Sequence, residues 1–213
     1  MKLFTYYRSS AAYRVRIALN LKGIDYDPEF VHLRNADHRS PAYLEFNPQG
    51  LVPALVDGPE VLTQSLAIIE YLDETVPDPP FLPDTALARA KVRAIAQAMA
   101  SDIHPINNLR VLKYLTATLG VSEADRDTWY RHWVTEGFTA VEKLLAELKP
   151  QGSFVGGDAP GLADICLVPQ VYNAQRFSVD MAAFPRIGEI AAACRALPAF
   201  EAAAPENQPD VEA

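Results

Sequence analysis

Apolar residues along the first 80 positions come in short, separated runs, and each run carries either a strand or a helix signature. Residues 2–7, KLFTYY, form a compact apolar stretch that predicts a strand. Residues 10–22 place apolar side chains at helical spacing, and Gly23 supplies the stop. A second strand is expected at 26–32, followed by a polar loop and a short helix at 41–46. A strand at 53–56, a turn at Asp57-Gly58, a strand at 61–63 and a helix at 65–75 complete the series. An Asp-Gly pair between two β-rich pieces is a hairpin signal. The order is β-α-β-α-β-β-α, which suits a small mixed sheet covered by helices.

The pattern changes near residue 80. Pro77, Pro79, Pro80 and Pro83 crowd around Phe81 and Leu82, a stretch that continues neither a helix nor a central strand and reads as a linker. Beyond it, residues 86–118, 125–149, 162–176 and 185–196 carry apolar residues at helical spacing with few strand signals. Gly120 with Ser122, and the stretch 150–161, punctuate these helices, and the last residues, PENQPDVEA, read as a frayed polar tail. The expected architecture is α/β plus all-α. A thioredoxin-like domain occupies 1–80 and a helical bundle occupies 81–213.

Composition narrows the function classes. The chain has 213 residues, 49% of them hydrophobic, enough for a sizeable core. A formal net charge of -8 argues against a general nucleic-acid surface, so an anionic ligand must be attracted by a few local arginines. Arg8, Arg14 and Arg16 interrupt any secretory apolar segment, and no run approaches the roughly 18 apolar residues that span a membrane. Cys166 and Cys194 form no CxxC motif and sit among Leu, Val and Ala, as buried structural residues do. Cytoplasmic residence is the resulting expectation. His32, His38, His104 and His132 show no paired metal-ligand spacing, and no glycine-rich nucleotide loop is present, so no metal is expected.

The chemistry starts at residues 9–19, SSAAYRVRIAL. Ser9 or Ser10 stands at the start of a helix, where exposed N–H groups and the helix dipole favour an anion such as a thiolate. Further pieces follow in order: NPQGLVPAL at 47–55, QSLAIIEYL at 64–72, DIHPINNLRVL at 102–112, LADICLVPQV at 162–171 and NAQRFSVD at 173–180. Together, from Lys2 to Asp210, they resemble the zeta class of the glutathione transferases.

The resemblance implies a set of roles. Glutathione is the cofactor. A cis Val52-Pro53 bond would present the Val52 backbone to its cysteinyl part, Gln64 and Ser65 would receive the γ-glutamyl carboxylate, and His38 would meet the glycyl end. His104 and Asn108, at i, i+4 spacing on a helix distorted by Pro105, would line the glutathione cleft. Arg8 and Arg176 are the expected grips for substrate carboxylates, with Arg110 as a third. Arg14 and Arg16 are read as residues that solvate or salt-bridge the first helix. A homodimer is expected from the family.

The activity implied is glutathione-dependent cis-trans isomerisation of maleyl diacids, in which thiolate addition converts the double bond to a rotatable single bond. Ser9, Ser10, Arg8 and Arg176 are its expected catalytic residues. Maleylacetoacetate, giving fumarylacetoacetate, is the preferred substrate, and maleylpyruvate is the alternative. A transferase acting on small α-halo acids and a non-catalytic glutathione binder are the competing classes. Two departures from the zeta pattern stand out. Ala11 replaces the usual cysteine after the serine pair, and Gly161 replaces a Ser or Thr helix cap, a change worth about a few tenths of a kcal/mol.

Overall fold

The structure, a computed structural model of the chain, describes residues 1–148 and 152–212. The expected helix end at Lys149 and the start of the following punctuation at Pro150 lie outside the described residues. The chain forms two compact units, Met1–Phe81 with Ala196–Ala213, and Leu82–Arg195.

In the first unit, β1 (Lys2–Thr5) leads into α1 (Ser10–Leu21), followed by β2 (Asp27–Phe30), α2 (Pro41–Phe46), β3 (Ala54–Asp57), β4 (Glu60–Thr63) and α3 (Ser65–Thr75). The sheet order is β2-β1-β3-β4, with β1 parallel to β2 and both remaining pairs antiparallel. The parallel β1-α1-β2 crossover and the β3-β4 hairpin are the mixed sheet that the element order predicts. Asp57 pairs with Glu60, so the turn residues are Gly58 and Pro59, one position later than expected. The expected polar loop before α2 contains a 3₁₀ turn, Asp37–Arg39. Each helix start has a local cause. Ser9 caps α1, Ser40 followed by Pro41 opens α2, and their hydroxyl oxygens accept from the Ala12 and Tyr43 N–H groups.

The second unit is helical among the described residues: α4 (Ala86–Gln97), a π-helical segment Ala98–Ile103, α5 (His104–Ile106), α6 (Leu109–Ala117), α7 (Glu123–Leu148), α8 (Leu162–Arg176) and α9 (Pro185–Arg195). α8 is buried almost all round, and it packs against α4 and α9 as the central helix of the unit. The expected single helix over 86–118 is broken. Pro105 has no N–H and its ring crowds the carbonyl four residues earlier, and the backbone ahead of it widens so that His104 N–H bonds to Met99 O. Gly137 on α7 faces the Ile103 side chain of that π segment so closely that any Cβ there would collide with it.

The C-terminal segment corrects the expectation of a frayed tail. α10 (Pro198–Ala203) packs against α1 and belongs to the first unit. Gln208 is buried and donates to Ala202 O and Ala204 O at 2.9 and 3.0 Å. Asp210 accepts from Tyr7 N at 2.9 Å.

Candidate active site

The segment that enters α1 is a closed turn. Ser9 N donates to Tyr6 O at 3.0 Å, so Tyr7 and Arg8 form the bend and Ser9 is delivered to the helix start. Ser9 Oγ accepts from Ala12 N at 3.2 Å, which leaves its proton available to donate. Ser9 is half-buried, whereas Ser10, the first helical residue, is buried. The Arg8 guanidinium lies over the Tyr7 ring, 5.3 Å from its centroid.

Arg14 and Arg16 are corrected. Both are fully buried and neither solvates the helix surface. Arg14 Nη1 donates to Ser65 Oγ at 3.2 Å, and Arg16 bonds to Thr5, Tyr6, Tyr7 and Ala203. Sequence reasoning missed them because their partners are backbone carbonyls and a hydroxyl from distant segments, which no spacing along the helix discloses. The available signal was two arginines, two positions apart, in the otherwise apolar run AAYRVRIAL.

The Val52-Pro53 bond is cis. Its approach is fixed by the NPQG segment: Tyr43 Oη and Asn47 Nδ2 both donate to Leu51 O, at 2.7 and 2.8 Å. Gly50 sits at φ +57°, and a Cβ there would lie 2.9 Å from both His38 O and an Arg39 guanidinium nitrogen. His38 is thus held beside Gly50 through its backbone. At the start of α3, Gln64 has φ +69°, a conformation that non-glycine residues rarely adopt and that strains the backbone. Gln64 Nε2 donates to Gln49 Oε1 at 2.9 Å. No side chain caps α3 at Gln64, and Ser65 is the buried first residue of the helix.

In the second unit, His104 follows the π segment and Asn108 lies beyond the break. Asn108 is the cap of α6, with φ -65° and ψ 148°, and its Oδ1 accepts from Arg110 N at 3.1 Å. The expected i, i+4 helical face of His104 and Asn108 therefore does not form. Asn107 between them is 5% exposed, and neither its side-chain oxygen nor its nitrogen has a hydrogen-bond partner among the described residues. Arg110 is exposed. Arg176, in the last turn of α8, is exposed and donates from Nη1 to Asn173 Oδ1 at 3.4 Å. Its guanidinium carbon lies 6.0 and 5.7 Å from the centroids of Tyr172 and Phe177, and Phe177 stacks on Tyr130 at 3.6 Å. Burial pushes the Tyr130 phenol up, against opposing effects from Arg176 and Gln170. Tyr130 stays a neutral aromatic support.

The start of α8 confirms the second departure. Gly161 is the cap and has no side chain to offer, so half of a capping box remains: Asp164 Oδ2 accepts from Gly161 N at 2.9 Å and Oδ1 from Val155 N at 3.0 Å. Burial pushes the Asp164 carboxyl up to about 6, opposed by those two backbone donors. Neither Cys166 nor Cys194 forms a disulfide, and both are buried.

The glutathione S-transferase N-terminal domain family matches residues 8–75, and the C-terminal domain family matches 127–202. A probable maleylacetoacetate isomerase of Vibrio cholerae is 52% identical over 210 residues, covering 98% of this chain and 97% of that protein. The chain belongs to the glutathione transferases. Within that family its likeness is to the zeta class: a holo maleylpyruvate isomerase described as a bacterial zeta-class glutathione transferase superposes with a TM-score of 0.97, at 49% identity and full coverage of both chains. The maleylacetoacetate isomerase of Methylobacterium extorquens AM1, solved with malonate and glutathione bound, superposes with a TM-score of 0.96 at 41% identity, again over the whole of both chains. For a zeta-class glutathione transferase, the mixed sheet of the first unit and the helical second unit are the expected architecture. Among the described residues, no helix is long and apolar enough to cross a membrane.

Proposed function

We propose that this zeta-class glutathione transferase is a glutathione-dependent cis-trans isomerase of maleyl diacids, with maleylacetoacetate as its substrate and fumarylacetoacetate as its product. The observation that carries the reading is the anion-favouring helix start of the first unit, where Ser9 caps α1 and Arg8, suited to a carboxylate, immediately precedes it. The donor set fits glutathione: hydroxyls at two helix starts and a strained Gln64 whose φ +69° aims the start of α3. Bound glutathione supplies a thiolate that adds reversibly to the cis double bond and departs after rotation about the resulting single bond.

The chain's own residues bind, orient and stabilise charge. Ser9 is the better donor to the thiolate, because its oxygen accepts from Ala12 N and its hydroxyl proton can still be donated, while Ser10 is buried. The α1 dipole adds partial positive charge at the same place. Ser65 and the first N–H groups of α3 receive the γ-glutamyl carboxylate, with Gln64 beside them, and Arg14 holds the Ser65 oxygen in place. Val52 pairs its backbone with the cysteinyl residue, and His38, His104 and Asn108 supply further polar contacts. Arg8, Arg176 and Arg110 hold the substrate carboxylates and the negative charge that develops during addition.

Maleylpyruvate is the second reading, favoured by the likeness to the holo maleylpyruvate isomerase. Parallel spectrophotometric assays of the two substrates, with and without glutathione, test both. Fast turnover that requires glutathione supports the isomerase, and the ratio of kcat/KM values assigns the substrate. Glutathione binding with no turnover of either diacid would shift the reading to halo-acid transfer. A role in aromatic catabolism belongs to the same proposal, and the maleyl diacid substrate class supports it. We further propose a homodimer, on the family resemblance, and cytoplasmic residence, which two buried cysteines that form no disulfide suit. The net charge of -8 supports small-molecule rather than nucleic-acid partners.

A further inference from the structure

We propose that Arg16 and Asp210 are positioning residues that clamp the turn 6–9 and so set the aim of the Ser9 hydroxyl. The proposal rests on the reading of Ser9 as the thiolate donor. The turn is held from two sides. Arg16 is fully buried on α1, two helical turns beyond Ser9. Its Nη1 donates to Tyr6 O at 3.3 Å and to Thr5 Oγ1 at 3.0 Å, its Nη2 donates to Tyr7 O at 3.0 Å, and its Nε donates to Ala203 O at 3.0 Å. From the other side, Asp210 Oδ2 accepts from Tyr7 N at 2.9 Å.

Both carbonyls and the N–H around Tyr7 are thus fixed, immediately before Arg8 and Ser9. A planar guanidinium presents its donors in a rigid fork, so it registers the turn against the same helix that Ser9 caps. Burial pushes the Arg16 guanidinium down to about 10, against support from Tyr26, Asp210 and Tyr13, so it remains charged at neutral pH.

Asp210 is itself tethered. On one side, Gln208 bonds to Ala202 O and Ala204 O at the end of α10. On the other, Glu212 accepts from Arg34 Nη1 at 2.7 Å and lies 3.4 Å from His32 Nδ1. The C-terminal segment, 203 positions from Tyr7, acts as a strap on the reaction site.

The test uses the full chain carrying Asp210→Ala, with Asp210→Asn as the conservative variant, because an amide oxygen still accepts from Tyr7 N. Asp210→Ala is expected to lower kcat about tenfold, within the roughly 100-fold that a ~1 Å misplacement costs. The thiol pKa of bound glutathione, followed by thiolate ultraviolet absorbance, should rise by about one pH unit, while the Kd for glutathione, measured below that pKa where the bound thiol is protonated, changes less than about twofold. Asp210→Asn should restore both quantities to within about threefold, and Gln208→Ala should reproduce Asp210→Ala by releasing the strap. Unchanged kcat and thiol titration in Asp210→Ala would overturn the proposal. So would a fall in activity explained wholly by lost glutathione affinity.

Hydrogen exchange at the Ser9 and Ser10 amides reads the clamp without chemistry, and Asp210→Ala should accelerate it about tenfold or more. If the parent protein binds glutathione without lowering its thiol pKa, the Ser9 reading fails. Exchange then still decides whether the clamp exists: no acceleration in Asp210→Ala overturns it.

Discussion

Arg14 Nη1 on α1 donates to Ser65 Oγ at the start of α3, at 3.2 Å, with both residues buried. The helix proposed to stabilise a thiolate and the helix proposed to receive a carboxylate are therefore joined by a charge-assisted hydrogen bond. Ser65→Ala is expected to weaken glutathione binding by about 1–2 kcal/mol, and Arg14→Ala by about 1.5–3 kcal/mol. Because one acts through the other, the double variant should lose less than the sum. Calorimetric titration of the four proteins checks this. Strict additivity would mean that Arg14 does not orient Ser65.

Arg176 is flanked by Tyr172 and Phe177 and steadied by Asn173, with no carboxylate paired to it among the described residues. Arg176→Ala should lower kcat/KM for the diacid by roughly 30- to 150-fold, equivalent to about 2–3 kcal/mol. Glutathione affinity should stay within about twofold. Steady-state kinetics beside binding measurements separate the two, and equal losses in both would assign Arg176 to the fold instead.

Gly50 links two parts of the proposed glutathione site. Its φ of +57° and the 2.9 Å approach to His38 O leave no room for a side chain. Gly50→Ala should cost about 1–2 kcal/mol from the left-handed backbone alone. It should also weaken glutathione binding, because the displaced turn carries Leu51 and Val52 with it. A thermal midpoint and a glutathione titration of the variant check both halves. Unchanged affinity in a destabilised protein would detach the turn from the ligand.

How far the sequence carries depends on how local the cause is. α2, α3 and α8 run over the expected residues because their starts are written locally, in Ser40-Pro41, Gln64-Ser65 and Gly161. The cap at Ser9 was legible for the same reason, whereas the cis Val52-Pro53 bond followed from the family resemblance and not from the dipeptide itself. The misses are non-local. Arg14 and Arg16 look like solvent-facing residues until strands, α3 and α10 supply their acceptors. The tail reads as polar because Gln208 and Asp210 are polar, yet their partners are backbone groups. His104 and Asn108 were placed on one face by assuming a regular helix, which the π segment before Pro105 and the break at Asn108 prevent. Asn107, buried without a side-chain hydrogen-bond partner among the described residues, carries no sequence signal that separates it from Asn108.

Asp164 gives a pH dependence with a definite sign. Burial raises its carboxyl to about 6 in the folded protein, well above the unfolded value of about 3.9. Between these two values the native state holds a proton that the unfolded chain has released, so this group's contribution to stability falls as pH rises from about 4 to about 6. A carboxyl displaced by about 2 pH units corresponds to on the order of 3 kcal/mol. Asp164→Asn is neutral at every pH and lacks this term. The stability of the parent minus that of Asp164→Asn, from denaturant unfolding, should therefore be larger at pH 4 than at pH 7. Subtracting the variant removes the titration of the other carboxylates from the comparison. A difference that stays constant with pH, or grows toward pH 7, would mean that the Gly161 and Val155 N–H groups stabilise the carboxylate enough to outweigh its burial.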